Sequence, residues 1–361
     1  MLKKILLISI LLFTSVVIAS EHGIYLKTHQ AISEDIAKVE AQVIEVLKTN
    51  GFDILYQSDV KSPDYVREDK AEYCGFNAKL VVFSSKKYLD ILTKLDKKYL
   101  IGGFLRVGIY EDENGVNISI VDPETIARII FNDLYENDKE VEYKKIVGEV
   151  TKFKQELIYT LHSVRLGKEV AIAMPPIRDD EELAESSKDM FMMVGEMTFF
   201  NDEDQFPLIY SSTKSLVDVK NMFVENLKIF KPTKDDIDYR WTPDTKNDLQ
   251  WKIVSEILTS DGQGMLLGFS RPRTEAVSFN IAGASRESEK NMCPGVDHSA
   301  SYPIEVLLLK KDGKTNVYTQ REMFRMDMYF WDAGMAAFMD HMSMPSIIDE
   351  SLRKAILGSE Y

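Results

Sequence analysis

The stretch Leu105-Arg106-Val107-Gly108-Ile109-Tyr110-Glu111-Asp112-Glu113-Asn114-Gly115-Val116-Asn117-Ile118-Ser119-Ile120-Val121-Asp122-Pro123 holds the pattern on which the fold turns. Apolar residues dominate from Ile101 to Tyr110 and again from Val116 to Val121, and the segment between them is polar. Asn114-Gly115 supplies the positive φ angles that a tight reversal needs, so the pair reads as a β-hairpin. Asp122-Pro123 then opens a helix, because proline at the first helical turn has no N–H to lose. The same signature recurs late in the chain. Tyr302-Pro303-Ile304-Glu305-Val306-Leu307-Leu308-Leu309 runs into Lys310-Lys311-Asp312-Gly313, then Asn316-Val317-Tyr318-Thr319 and a helix from about Gln320.

Working outward, residues 24–60 read as strand, helix, strand. Ser33 reads as the cap of a helix in which Val39, Val43, Val46 and Leu47 recur at helical spacing, and Asn50-Gly51 stops it, since both residues tolerate a left-handed conformation. Phe52 to Gln57 starts the next strand. An apolar segment at Leu80–Phe83 and a short helix through Tyr88, Ile91 and Leu92 lead to the hairpin. Ahead of the second hairpin, Trp251–Leu258 reads as a helix, and Met265–Phe269 and Ala276–Ile281 as strands. Between the two regions, Val141–Leu166 suggests a long charged helix, Ala173–Glu182 a proline- and acid-rich break, and Asp189–Phe200 an apolar segment that packs rather than floats. The expected class is α+β, with two helix-backed antiparallel-sheet units forming a tandem pseudo-dimer with a cleft between the copies. The expected division is a leader at 1–19, a first α+β domain at 20–137, a helical connector at 138–214 and a second α+β domain, a diverged copy, at 215–361.

The first unit resembles the bacterial and archaeal family known as domain of unknown function 302. The resemblance rests on Val46-Leu47-Lys48-Thr49-Asn50-Gly51-Phe52, Ser58-Asp59-Val60, the segment around Cys74-Gly75-Phe76-Asn77, and Arg106 to Asp112 with Asp122-Pro123. It covers roughly residues 24–135 and implies a compact α+β unit that associates in pairs, with no settled reaction. A cysteine often seen before that family's hairpin strand is replaced here by Gly103-Phe104-Leu105, which argues against paired-cysteine chemistry in this unit.

Lys3 and Lys4 followed by an apolar run from Ile5 to Ala19, ending in small residues, form a secretory signal peptide pattern. The run is shorter than the ~20 residues needed to cross a bilayer. A periplasmic or secreted protein is therefore expected, with no membrane insertion after cleavage. The 361-residue chain carries 44 basic and 58 acidic residues, a net charge of −14. Such a charge repels phosphate backbones, so nucleic acid is excluded as a partner. A homodimer stays open, as does a disulfide between Cys74 and Cys293, the two cysteines of the chain.

No nucleophile elbow, phosphate-binding glycine loop, paired-His zinc motif or Cys-x-x-Cys is present. The leading expectation is therefore an exported, non-enzymatic binding protein for an apolar small molecule or a partner protein. Cys293 and His298 in the loop before Tyr302, with Met323, Met326, Phe330 and Trp331, are its candidate ligand contacts. The second reading is soft-metal handling. Met339, His341, Met342 and Met344 offer the thioether and imidazole donors that Cu(I) selects, at spacings that share a helix face. Against it, Phe324, Met328, Trp331, Met335, Phe338, Met339 and Met342 form an ordinary core stripe, in which methionine fills irregular gaps. A third reading is a thiol- or histidine-dependent enzyme of unknown reaction.

Overall fold

The computed structural model describes residues 21–61, 77–112, 114–136, 139–175, 177–189, 205–234, 236, 249–275, 296–331 and 343–358. The first unit begins with β1 (Tyr25–Ile32), α1 (Ile36–Thr49), β2 (Asp53–Lys61), β3 (Asn77–Ser84) and α2 (Lys86–Leu92). A first 3-10 turn (Lys97–Gly102) leads into the hairpin β4 (Leu105–Asp112) and β5 (Gly115–Val121), then α3 (Pro123–Ile130) and α4 (Asn132–Glu136). The long helix α5 (Glu140–His162), β6 (Lys168–Ala173) and α6 (Asp180–Asp189) follow. The second unit has β7 (Leu208–Ser212), α7 (Leu216–Ile229), β8 (Lys252–Leu258), β9 (Gly264–Ser270) and a second 3-10 turn (Val296–Ser301). The hairpin β10 (Ile304–Lys311) and β11 (Lys314–Thr319), α8 (Glu322–Phe330) and α9 (Met344–Leu357) complete it.

The strands form two antiparallel sheets, in the orders β2-β3-β4-β5-β1-β6 and β7-β11-β10-β9-β8. Read from the β2 and β8 ends, both run second, third, fourth, fifth, first strand of their unit; β6 is an extra strand outside β1. The hairpins share a register too, closing Asp112 on Gly115 and Lys311 on Lys314. In each unit a helix links the first two strands, and another follows the hairpin.

Local chemistry explains the elements. Asp35, two residues beyond the expected Ser33, caps α1 by accepting from the Ala37 amide, and Val39, Val43 and Leu47 place one apolar face on the sheet. Each such buried side chain contributes roughly 1.5–3 kcal/mol over an exposed one. Helix α5 buries Tyr143, Val147, Val150, Phe153, Leu157 and Leu161 on one face and keeps its charges outward. Gly115 closes the first hairpin at φ 121°, and a Cβ there would stand 2.5 Å from the Ile32 carbonyl oxygen. Gly115→Ala is expected to cost roughly 1–3 kcal/mol, read as a lower urea midpoint at unchanged slope.

The units interlock. The first 3-10 turn packs on β9 and β10, and the second on β3, β4 and β5. Each turn that precedes a hairpin therefore lies on the opposite unit's sheet. Gly108 in β4 permits this approach, since a Cβ there would meet Ser299 Oγ at 2.8 Å. One continuous apolar cluster runs through both units.

Two expectations are corrected. Trp251–Leu258 does not form a helix: Lys252–Leu258 is β8, the edge strand paired with β9. Its apolar residues fit a helical spacing, but Ile253, Val254 and Ile257 are β-branched and a bulge between Ile253 and Ser255 resets the alternation. The stretch 138–214 is helical only in part, because it contributes β6 to the first sheet and β7 to the second. Residues 1–20, 190–204 and 276–295 lie outside the described residues, and with them the leader, the apolar segment after Asp189 and the strand expected at 276–281.

Candidate functional site

Where the two hairpins meet, the core turns polar. Arg106 and Glu305 occupy equivalent positions, each six residues before the last residue of its strand, and form an ion pair. Arg106 is 1% exposed and Glu305 0%. The α8 residue Tyr329 donates from its hydroxyl to Glu305 Oε1 at 2.8 Å, and Arg325 Nε approaches Oε2 at 3.3 Å. Arg106 donates further to the carbonyls of Tyr302 (3.0 Å), Phe104 (3.1 Å) and Pro303 (3.1 Å) and to the Tyr329 hydroxyl (2.9 Å). The Tyr329 ring lies 4.8 Å from both guanidinium carbons, a double cation–π arrangement. Burial pushes the Tyr329 hydroxyl pKa well above its ordinary value. With these donors and acceptors paired inside the protein, the network orders the interface.

A second buried network ties α9 to β9. Arg271 donates to Asp236 Oδ1 at 2.8 Å and to Ser351 Oγ at 3.2 Å. Ser351 donates to Asp236 Oδ2 at 2.8 Å and accepts from Trp251 Nε1 at 3.0 Å. At the end of β9, Glu275 accepts from Ser270 Oγ at 2.5 Å. Burial raises its carboxyl pKa to about 7, opposed by hydrogen bonds from Ser270 and from Ser58 of the first sheet and by Lys252.

The sequence-derived candidates are placed as follows. His298 is fully buried in the second 3-10 turn, its ring 5.2 Å from Tyr25 and 5.3 Å, edge-on, from Phe330. Met326, Phe330 and Met344 are buried and line a crevice with Tyr302, Gln320 and Leu352. Among the described residues its space is about 40 Å3, room for a water or two. Trp331 stacks under the Arg178 guanidinium at 4.6 Å, and Arg178 pairs with Asp327 at 2.6 Å. The structure thus brings His298 and Phe330 together. Cys74, Cys293, Met339, His341 and Met342 lie outside the described residues, as does the side chain of Met323.

A larger concavity of about 450 Å3 opens where the two sheets' edges meet, between β2 and α2 of the first unit and β8 of the second. Leu89, Leu100 and Ile257 give it apolar walls, with Thr93 and Ser260 among them. Asp53, Lys86, Asp90 and Glu256 are its charged lining residues. Lys86 pairs with Asp90 at 2.5 Å and Glu256 pairs with Lys220, so the Asp53 carboxylate is left without an ion pair among the described residues. A cleft between the two units is what the sequence leads one to expect, but not this lining, because its residues come from four separate segments. The sequence reading also missed Arg106 and Glu305, although a charge at the second position of each strand, ahead of an apolar run, was a visible signal.

No protein-family model matches the chain, and no curated protein matches it as a relative. Among solved structures, the crystal structure of an uncharacterised conserved DUF302 protein from Bacillus stearothermophilus is similar to it. That similarity covers 39% of this chain and 98% of the other, at 11% identity and a TM-score of 0.29.

Proposed function

We propose that this is an exported, non-enzymatic binding protein whose ligand occupies the cleft between the two sheet units. The observation that carries the reading is the cleft itself: its volume falls within the range of small-molecule sites, and it joins apolar walls to a few polar groups. The lining has three carboxylates against one lysine, which selects against anions, and the net charge of −14 acts in the same direction. The ligand is a neutral or cationic small molecule with an apolar body, its donor end set against Asp53. The leader pattern at residues 1–19 supports work outside the cytoplasm.

Native mass spectrometry of the protein purified from its own cell envelope tests this. A reproducible added mass, lost in both Thr93→Trp and Ser260→Trp, is expected, because these substitutions fill the cleft from opposite walls. A bare wild-type mass, or an added mass that persists in both variants, overturns the reading.

A further inference from the structure

At the far end of the first sheet from the cleft, two histidines face each other. His29 lies in β1, opposite Glu169 of β6, and directly opposed strand residues send their side chains to the same face. His162, the last residue of α5, sits over that face: the two rings are 5.5 Å apart at 87°. The hydrogen bonds set the tautomer of each ring in its neutral form. Thr28 Oγ1 donates to the Ile118 carbonyl at 3.2 Å and therefore accepts from His29 Nδ1 at 3.1 Å. His29 Nε2 is then a bare lone pair, buried and without a hydrogen-bond partner. His162 Nε2 donates to the Val170 carbonyl at 2.9 Å, which leaves its Nδ1 as the second lone pair. That nitrogen stands 4.0 Å from Glu169 Oε2. Two lone pairs and a carboxylate share one face, with no donor among them.

We propose that His29 Nε2, His162 Nδ1 and Glu169 bind a divalent transition-metal ion of the zinc class. The ring spacing suits it. A metal lies about 3 Å from the centre of a ligating imidazole, since Zn–N is about 2.0–2.1 Å, so two rings on one ion stand roughly 5–6 Å apart. Each histidine already gives its other ring nitrogen to a protein oxygen, the outer-shell arrangement that orients metal ligands. Among the described residues no three His, Cys, Asp or Glu groups close on one point as they stand. Glu169, 49% exposed, is the donor that turns in to complete the set, and water fills the fourth position. The ion would clip the end of α5 to β1 and β6.

Zn2+ titration of the metal-free full chain by calorimetry near neutral pH, with Co2+ absorption as a coordination signature, tests the assignment. One ion per chain is expected, with His162→Gln and Glu169→Gln each weakening binding by at least about tenfold. His29→Gln should abolish it. Because His29 is buried, the two partly exposed positions carry the test, with circular dichroism confirming that those variants fold. Absence of binding overturns the proposal. So does binding that survives His162→Gln and Glu169→Gln but is lost in His341→Ala with Met342→Leu.

Discussion

Glu305→Ala is expected to destabilise the protein by about 3–5 kcal/mol, the scale for removing one partner of a buried ion pair. The loss strips the Arg106 and Arg325 guanidiniums of their shared carboxylate and the Tyr329 hydroxyl of its acceptor. Arg106 is 1% exposed, so water cannot replace what is removed. The double variant Arg106→Met with Glu305→Leu is expected to cost less than the sum of the two single changes, because it leaves neither charge of the pair orphaned. Urea unfolding of the two single variants, the double variant and the wild type gives the coupling directly. A Glu305→Ala cost below about 1 kcal/mol, the level of an exposed pair, would show that solvent reaches the network.

The second large effect is a pH dependence located at Glu275. Its carboxyl pKa is raised from 4.5 to about 7 in the folded protein by burial. Below the unfolded value both states hold the proton and pH has no effect. Between about 4.5 and about 7 the unfolded chain ionises while the folded protein keeps its proton, so stability falls as pH rises. Above that window both states are ionised and the loss is complete. The shift corresponds to on the order of 3 kcal/mol. Glu275→Gln should therefore gain about that much over wild type between pH ~4 and pH ~8, read from urea midpoints at the two pH values. Asp349, raised to about 6 by burial, bends both curves the same way and cancels in the difference. An unchanged difference would mean that the Glu275 side chain ionises as if in water.

How much of this was legible in the sequence follows from the range of the forces involved. The hairpins were legible because a reversal is a local demand: Asn114-Gly115 and Asp312-Gly313 announce turns whatever lies around them. The α1 core face was legible from the spacing of Val39, Val43 and Leu47, each now fully buried. Strand β8 was misread because its partner β9, not its own residues, decides its conformation. Tyr302 to Leu309 was readable as a strand, but that Glu305 would meet Arg106 depends on how the two sheets stack, and sequence spacing holds no record of that. The residues that line the cleft and the facing of the two histidines escaped for the same reason. Nothing in the sequence links His29 to His162, and only the pairing of β1 with β6 beneath the end of α5 brings the two rings together, with His29 fully buried.

The opposite charges at Arg106 and Glu305 bear on how such a fold can be assembled. Two identical subunits meeting about a two-fold axis present the same residue from both sides, so arginine would face arginine or glutamate would face glutamate, a repulsion this dry setting would not forgive. Joining both halves in one polypeptide lifts that restriction, because each half is free to acquire the complement of the other. The pair thereby marks the seam as hetero-specific: each half recognises its covalent neighbour and disfavours a copy of itself.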